Sequence, residues 1–211
     1  MKRRLTQALA VLLFTFGGWQ VGAGVWIYAK AALAQVLIKH AWDEALAGHK
    51  AMRPWPWADT YPVARLAVPA LGVDEIVLAG ASGRTLAFGP GHMDGTAAAG
   101  APGLSVIVAH RDTHFRFLRE VKPGQTVILT DPAGVAHSYH VTGTRVVNAD
   151  KTALDASGDT SRLALVTCFP FDSPRPGTHR RYVVFAEAEP DASAGTSPAH
   201  SAIAIAPPPP I

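Results

Sequence analysis

A thiol, an imidazole and a guanidinium stand at the ends of three apolar stretches. Cys168 closes Leu163-Ala164-Leu165-Val166-Thr167-Cys168, His110 follows Leu104-Ser105-Val106-Ile107-Val108-Ala109, and Arg181 opens Arg181-Tyr182-Val183-Val184-Phe185-Ala186. Cys168 is the only cysteine of the 211 residues, so no internal disulfide can engage it. A thiolate attacks a carbonyl carbon, a guanidinium that keeps its charge holds the oxyanion that forms, and an imidazole gives and takes the proton. Together the three suit acyl transfer. Singly each has a plain alternative: a cysteine at a strand end packs as a small apolar side chain, and a lone histidine or arginine is commonly structural or solvated.

The elements that carry these residues must bring them together. Phe169-Pro170 stops the Cys168 strand, because proline has no N–H to donate to a ladder. If the Cys168 and Arg181 strands are antiparallel neighbours, the end of one meets the start of the other and both residues share a rim. His110 joins them if its strand runs parallel to that of Cys168. Further strands are predicted at Val63–Val68, Glu75–Leu78, Thr126–Thr130 and His137–Val147, with a helical turn over Phe115–Glu120. Many short strands with closely spaced turns give an all-β barrel or sandwich. The glycine-rich stretch 89–103 lacks a phosphate-loop fingerprint and reads as a long connection, and Asn148–Ser161 reads as a loop.

The amino terminus fixes the compartment. After the basic cap 1–4, no charged residue occurs from Leu5 to Ala29, a span of 25 positions (29 − 5 + 1). At about 1.5 Å per residue this exceeds a hydrocarbon core of roughly 30 Å. Positive charge before the span and none directly after it put the amino terminus inside and the remainder outside, with Trp26 and Tyr28 at the outer interface. A cleaved signal peptide ending near Gly22-Ala23-Gly24 is the alternative, but Val25-Trp26-Ile27 continues the apolar run, which favours the uncleaved anchor. Residues 30–60 comprise an amphipathic helix, with Ala32, Leu33, Val36, Leu37, Ile38, Ala41, Trp42 and Leu46 as its apolar stripe, and a Pro/Trp linker that breaks it. The folded domain is expected over 61–188, and the Ala/Ser/Pro-rich tail 189–211 is expected to be disordered. A net charge of +3 with no basic cluster argues against nucleic acid as a partner.

Leu165-Val166-Thr167-Cys168 resembles the Leu-x-Thr-Cys signature of sortases, the membrane-anchored cysteine transpeptidases of the cysteine peptidase class. Ala109-His110-Arg111-Asp112-Thr113 followed by Phe115-Arg116-Phe117-Leu118 is similar to the family's histidine segment, and Arg181 matches the arginine that opens its final strand. Arg180 is the adjacent rival, but side chains alternate along a strand, so only one of the two can face the site. The segment Pro54–Thr60 and the His-Arg-Asp-Thr-His form look most like the sortases of Gram-negative proteobacteria. The resemblance implies a closed barrel of about eight strands with short helices, behind a single inner-membrane helix and on its periplasmic side. It also implies a nucleophile (Cys168), a general acid/base (His110), an oxyanion or substrate stabiliser (Arg181), and substrate contacts from Ala109, Asp112, Thr167 and Phe169. The substrate would be a protein with a C-terminal Leu-Pro-x-Thr-Gly-like sorting signal, cleaved between Thr and Gly and passed to an amine.

No cofactor or metal is expected. His110 and His114, four apart, lack a third ligand nearby in sequence and the glutamate of His-Glu-x-x-His, and no acidic cluster of the calcium-binding kind is evident. His-Arg-Asp without a glycine-rich loop and strand lysine is no kinase loop. Asp112 could orient His110 as a triad carboxylate does, although a solvated loop aspartate is the simpler reading. Two other classes compete. One is a tethered β-domain that binds or scaffolds, with an inert Cys168. The other is a cell-wall L,D-transpeptidase, whose Ser-His-Gly-Cys type signature is replaced here by Val166-Thr167-Cys168.

Overall fold

The computed structural model describes residues 2–49, 51–173 and 177–189. The tail expected to be disordered lies outside these from Pro190 onward. The chain opens with one helix, α1 (Lys2–Leu46). No proline interrupts it, and the side chains of Leu12, Phe14, Trp19 and Tyr28 are all exposed along its first part. It ends where Gly48 takes φ +95, a left-handed conformation that costs glycine little, while the Gly48 N–H donates to Ala45 O at 3.0 Å. The membrane segment and the amphipathic helix, expected as separate elements, are therefore continuous. The hydropathy changes near Lys30 and the backbone does not.

The buried stripe of α1 is also narrower than the periodicity suggests. Ala34, Ile38, Ala41, Trp42 and Ala45 are buried, whereas Leu33, Val36 and Leu46 stay exposed. This stripe packs on β1 (Pro62–Val68) and β2 (Val73–Ala79). Between them the 3-10 turn Pro69–Leu71 ends at Gly72, φ +63. Arg65 of β1 donates to Asp74 of β2 at 2.6 Å. That hydrogen bond, with the Arg65 charge, holds the Asp74 carboxyl below the usual carboxylate range although partial burial pulls the other way. The segment before β1 is packed too: Trp55 meets Phe88 edge to face at 5.0 Å, and Thr60 donates to Ala79 O at 2.7 Å.

The remaining elements are the short α2 (Gly83–Leu86), β3 (Gly91–His92), β4 (Gly103–Val108), a 3-10 turn at Arg116–Arg119, β5 (Thr126–Thr130), β6 (Ala136–Asn148), β7 (Ser161–Cys168) and β8 (Arg180–Ala188). The strands close into a barrel in the order β1-β2-β3-β4-β7-β8-β6-β5. The expected all-β barrel of eight strands is thus observed. The sequence reading assigned no element to the stretch that forms α2 and took the residues of β3 for part of the glycine-rich connection 89–103. β3 is two residues long, too short for any periodicity, yet it bridges β2 and β4 and closes the wall.

Alternation along the strands sorts the apolar residues onto two faces. Leu66, Val77, Ile107, Leu129, Tyr139, Leu163, Leu165 and Val184 fill the interior. Leu104, Val106, Ala164 and Val183 form a second cluster on the outside of β4, β7 and β8, covered by Leu154 and Ala156 of the loop between β6 and β7. In barrel order β7 lies four strands from β1, so this outer face is across the barrel from α1.

At β3, a Cβ added to Gly91 would overlap the Gly80 carbonyl oxygen and press on Leu86. The obstacle is backbone, which cannot rotate away. Gly91→Ala is expected to cost about 2–3 kcal/mol, lowering the melting temperature of the detergent-solubilised protein by several degrees. An unchanged melting curve would mean that β3 does not close the wall.

Candidate active site

Cys168 ends β7 and Arg181 is the second residue of β8, and the two are direct register partners. Residues opposed across an antiparallel pair project to the same side of a sheet. The burial of their neighbours identifies that side. Along β7, Leu163 and Leu165 point into the barrel and Ala164 and Val166 outward, so alternation puts Cys168 outside. Along β8, Val184 and Ala186 point in and Val183 and Phe185 out, so Arg181 is also outside. Arg180 pairs with Asn148 and falls on the opposite side, which separates it from Cys168.

β4 runs parallel to β7 with Val108 opposite Val166. This is the condition on which the sequence reading made His110 depend. One residue further, the Ala109 N–H donates to Val166 O at 3.2 Å, and the Thr167 hydroxyl donates to Ala109 O at 2.7 Å. The pairing therefore persists past the formal end of β4 and brings His110 level with Cys168. Ile107 and Ala109 face the interior and Val106 and Val108 the outside, so His110 takes the outer side as well. The three residues form a row across three adjacent strands, at one rim and on one face.

Their surroundings differ. His110 is exposed, while Cys168 and Arg181 are half-buried, and Cys168 is a free thiol. Arg181 Nη1 donates to the Thr178 and Arg180 carbonyls, the latter at 3.0 Å, which fixes the fork at the mouth of the β7–β8 loop. Nε and Nη2 carry its other N–H donors. Below the row the outer face is apolar, with Val108, Val166 and Val183. It leads to a cleft of about 480 Å³ lined by Leu104, Arg145, Leu154, Asp155, Arg162 and Phe185.

Of the expected substrate contacts, Ala109 and Thr167 are buried and joined to each other, so they can present only backbone to the rim. Asp112 is exposed and Phe169 half-buried at the rim itself. Phe169 stacks on Tyr182 with ring centroids 6.2 Å apart, and Phe171 meets Tyr182 edge to face at 5.2 Å. Arg119 sits over the Phe171 ring at 5.2 Å and bonds Asp172 at 3.1 Å, and Arg111 Nη2 donates to Ser173 O at 2.8 Å. The loops after β4 and β7 are thereby tied to each other. Sequence reasoning took Arg111 for an ordinary loop residue and passed over Arg119 and Phe171, and the Phe-x-Phe spacing around Pro170 was the one available hint of a cluster. His114 turns to Glu75, with Nδ1 3.1 Å from Oε2, and not toward His110.

The Sortase domain family matches residues 66–189, more than half of the chain. Sortase D of Bacillus subtilis (strain 168) is 27% identical over 121 residues, 57% of this chain and 60% of that protein, so the match leaves part of that relative's length unspanned. Among solved structures, sortase C-1 from Actinomyces oris superposes with a TM-score of 0.53 at 29% identity, covering 61% of this chain and 75% of that one. Sortase A of Listeria monocytogenes superposes with a TM-score of 0.54 at 26% identity, covering 61% and 88%.

The Thr167 to Ala109 hydrogen bond is buried, so deleting the hydroxyl strands a carbonyl without water. Thr167→Val is expected to cost about 1–3 kcal/mol and Thr167→Ser well under half of that, read from denaturant melts. Equal effects of the two variants would show that the hydroxyl is not the tie.

Proposed function

The chain belongs to the sortase family, and we propose that it is a membrane-anchored cysteine transpeptidase acting on proteins with a Leu-Pro-x-Thr-Gly-like sorting signal. The observation that carries this reading is the row of His110, Cys168 and Arg181 across β4, β7 and β8. Cys168 Sγ attacks the threonine carbonyl carbon, and Arg181 holds the oxyanion that forms. Collapse breaks the Thr–Gly C–N bond. His110 gives its proton to the departing glycine amine, leaving a thioester on Cys168. An incoming amine then attacks that thioester, its proton passes to His110, and the thiolate leaves.

The outer face suits the peptide. Its apolar floor of Val108, Val166 and Val183 and the cleft beneath offer room for the residues before the scissile bond. Asp112 and Phe169 flank the rim with side chains, and Ala109 and Thr167 with backbone. α1 is long and apolar enough from Leu9 to cross a bilayer. The domain arrangement that follows is a cytoplasmic cap at 1–4, a span at 5–29, a stalk and linker at 30–60, and a catalytic domain at 61–188. The Pro-Trp-Pro-Trp segment and the His-Arg-Asp-Thr-His form support placement with Gram-negative sortases, hence an inner-membrane protein working on the periplasmic side.

Incubation with a sorting-signal peptide should yield, by intact mass, an acyl adduct on the wild-type protein and none on Cys168→Ala. Arg181→Ala is expected to lower kcat/KM by about 10²–10³, the usual cost of one oxyanion donor, whereas Arg180→Ala leaves it within a few-fold. A Cys168→Ala protein that still cleaves the peptide, or equal losses at the two arginines, would contradict the assignment.

A further inference from the structure

We propose that α1 is a rigid strut that turns the catalytic rim toward the bilayer and holds it close to the lipid headgroups. The proposal rests on the reading of α1 as a membrane anchor and adds an orientation to it.

Two rims can be distinguished. β2 and β4 run in opposite directions through their common neighbour β3, so the start of β2 shares a rim with the ends of β4 and β7. The turn at Pro69–Gly72 therefore lies on the catalytic rim. The turn between β5 and β6, Asp131–Val135, lies on the far one. Contacts of α1 run from one rim to the other as its residue numbers rise. Gln35 Nε2 donates to Phe88 O at 2.8 Å, the Lys39 charge acts on Asp74 near the start of β2, and the Asp43 charge acts on Arg65 further along the wall. Leu46 reaches Gly134 in the far turn. Traced backward, the helix passes the catalytic rim and continues beyond it toward the apolar segment. The barrel thus stands with its catalytic rim on the side from which α1 arrives.

The distance is short. From Lys30, just past the uncharged segment, to Lys39 beside Asp74 is nine residues (39 − 30), about 14 Å at 1.5 Å per residue. The docked stripe, with Ile38, Ala41 and Trp42 at most 3% exposed, leaves no hinge between stalk and barrel.

Charge distribution agrees independently. The far rim is acidic, with Asp94, Asp131, Asp155, Asp159, Glu187 and Glu189 against Arg84 and Arg162. Loops and strand ends of the catalytic rim carry Arg111, Arg116, Arg119, Lys122, Lys151, Arg180 and Arg181 among Asp74, Glu75, Asp112, Glu120, Asp150 and Asp172. A negatively charged surface therefore repels the far rim more than the catalytic one. The partner surface is therefore the bilayer from which α1 emerges, and a peptide reaching Cys168 must enter through the gap between rim and headgroups.

Full-length protein in liposomes tests this. On a Cys168→Ser background, a fluorophore is attached at Ala70→Cys in the catalytic-rim turn or at Ala133→Cys in the far turn, both exposed and separated by the length of β1, roughly 23 Å at 3.3 Å per residue. Lipids carrying a nitroxide on the headgroup quench whichever label is nearer. The expected result, in vesicles of zwitterionic and of anionic lipid alike, is quenching at position 70 at least about twofold stronger than at 133. Equal or reversed quenching in protein that resists alkaline extraction overturns the orientation alone. A difference seen only with anionic lipid overturns the rigid strut. Protein released by alkaline extraction overturns the anchor and the orientation with it.

Discussion

The parallel pairing of β4 with β7 is the constraint from which the candidate site follows. Antiparallel β7 and β8 bring Cys168 and Arg181 together cheaply, because they follow each other in the chain. His110 is 58 residues upstream of Cys168 (168 − 110), and only a register of Val108 on Val166 makes them neighbours. That register cannot slip by one residue without sending His110 into the barrel and Ala109 outward. The buried Thr167 hydroxyl on the Ala109 carbonyl seals the pair one residue short of His110 and Cys168, where strand ends usually fray. Position 167 therefore needs a hydroxyl that faces inward, while Cys168 at the next position faces outward.

Much of this was legible in the chain. Proline after Phe169 marked the end of the Cys168 strand, and alternation allowed only one of Arg180 and Arg181 to face the site, a choice made on the family resemblance and matched by the register of Arg180 with Asn148. The His110 strand was recognisable as an apolar run, but its direction was not, since strand periodicity is the same in either sense. β3 escaped notice because Gly91-His92 carries no pattern. Its existence depends on Gly91 fitting against the Gly80 carbonyl, a contact between residues of different elements. The unity of α1 was hidden for another reason: hydropathy reports the polarity of side chains, which changes near Lys30 while the hydrogen-bonded backbone does not. Thr167 and Ala109, expected beside a substrate, are also joined to each other and so hold the site's strands together, a tie the sequence did not reveal.

The barrel divides labour between its two faces. The interior, from Leu66 to Tyr139 and Leu165, supplies the cohesion that a small domain needs. The outer face of β4, β7 and β8 carries a second apolar cluster, partly roofed by the β6–β7 loop. α1 occupies the opposite side of the barrel, so the helix and a peptide on that face do not compete for the same wall. The loop ties through Arg111, Arg119 and Phe171 then brace the rim that the strands align.

The claim that His110 and Cys168 stand side by side on one face can be tested without any substrate. Neighbouring strands lie about 4.8 Å apart, within the Cα separation a disulfide accepts. A His110→Cys variant carries two thiols, at positions 110 and 168, and mild oxidation should join them into one intramolecular disulfide, seen as loss of both titratable thiols in a monomeric protein. Two thiols that stay free under oxidation, in a variant that melts like the wild type, would contradict the alignment of β4 with β7 at the rim.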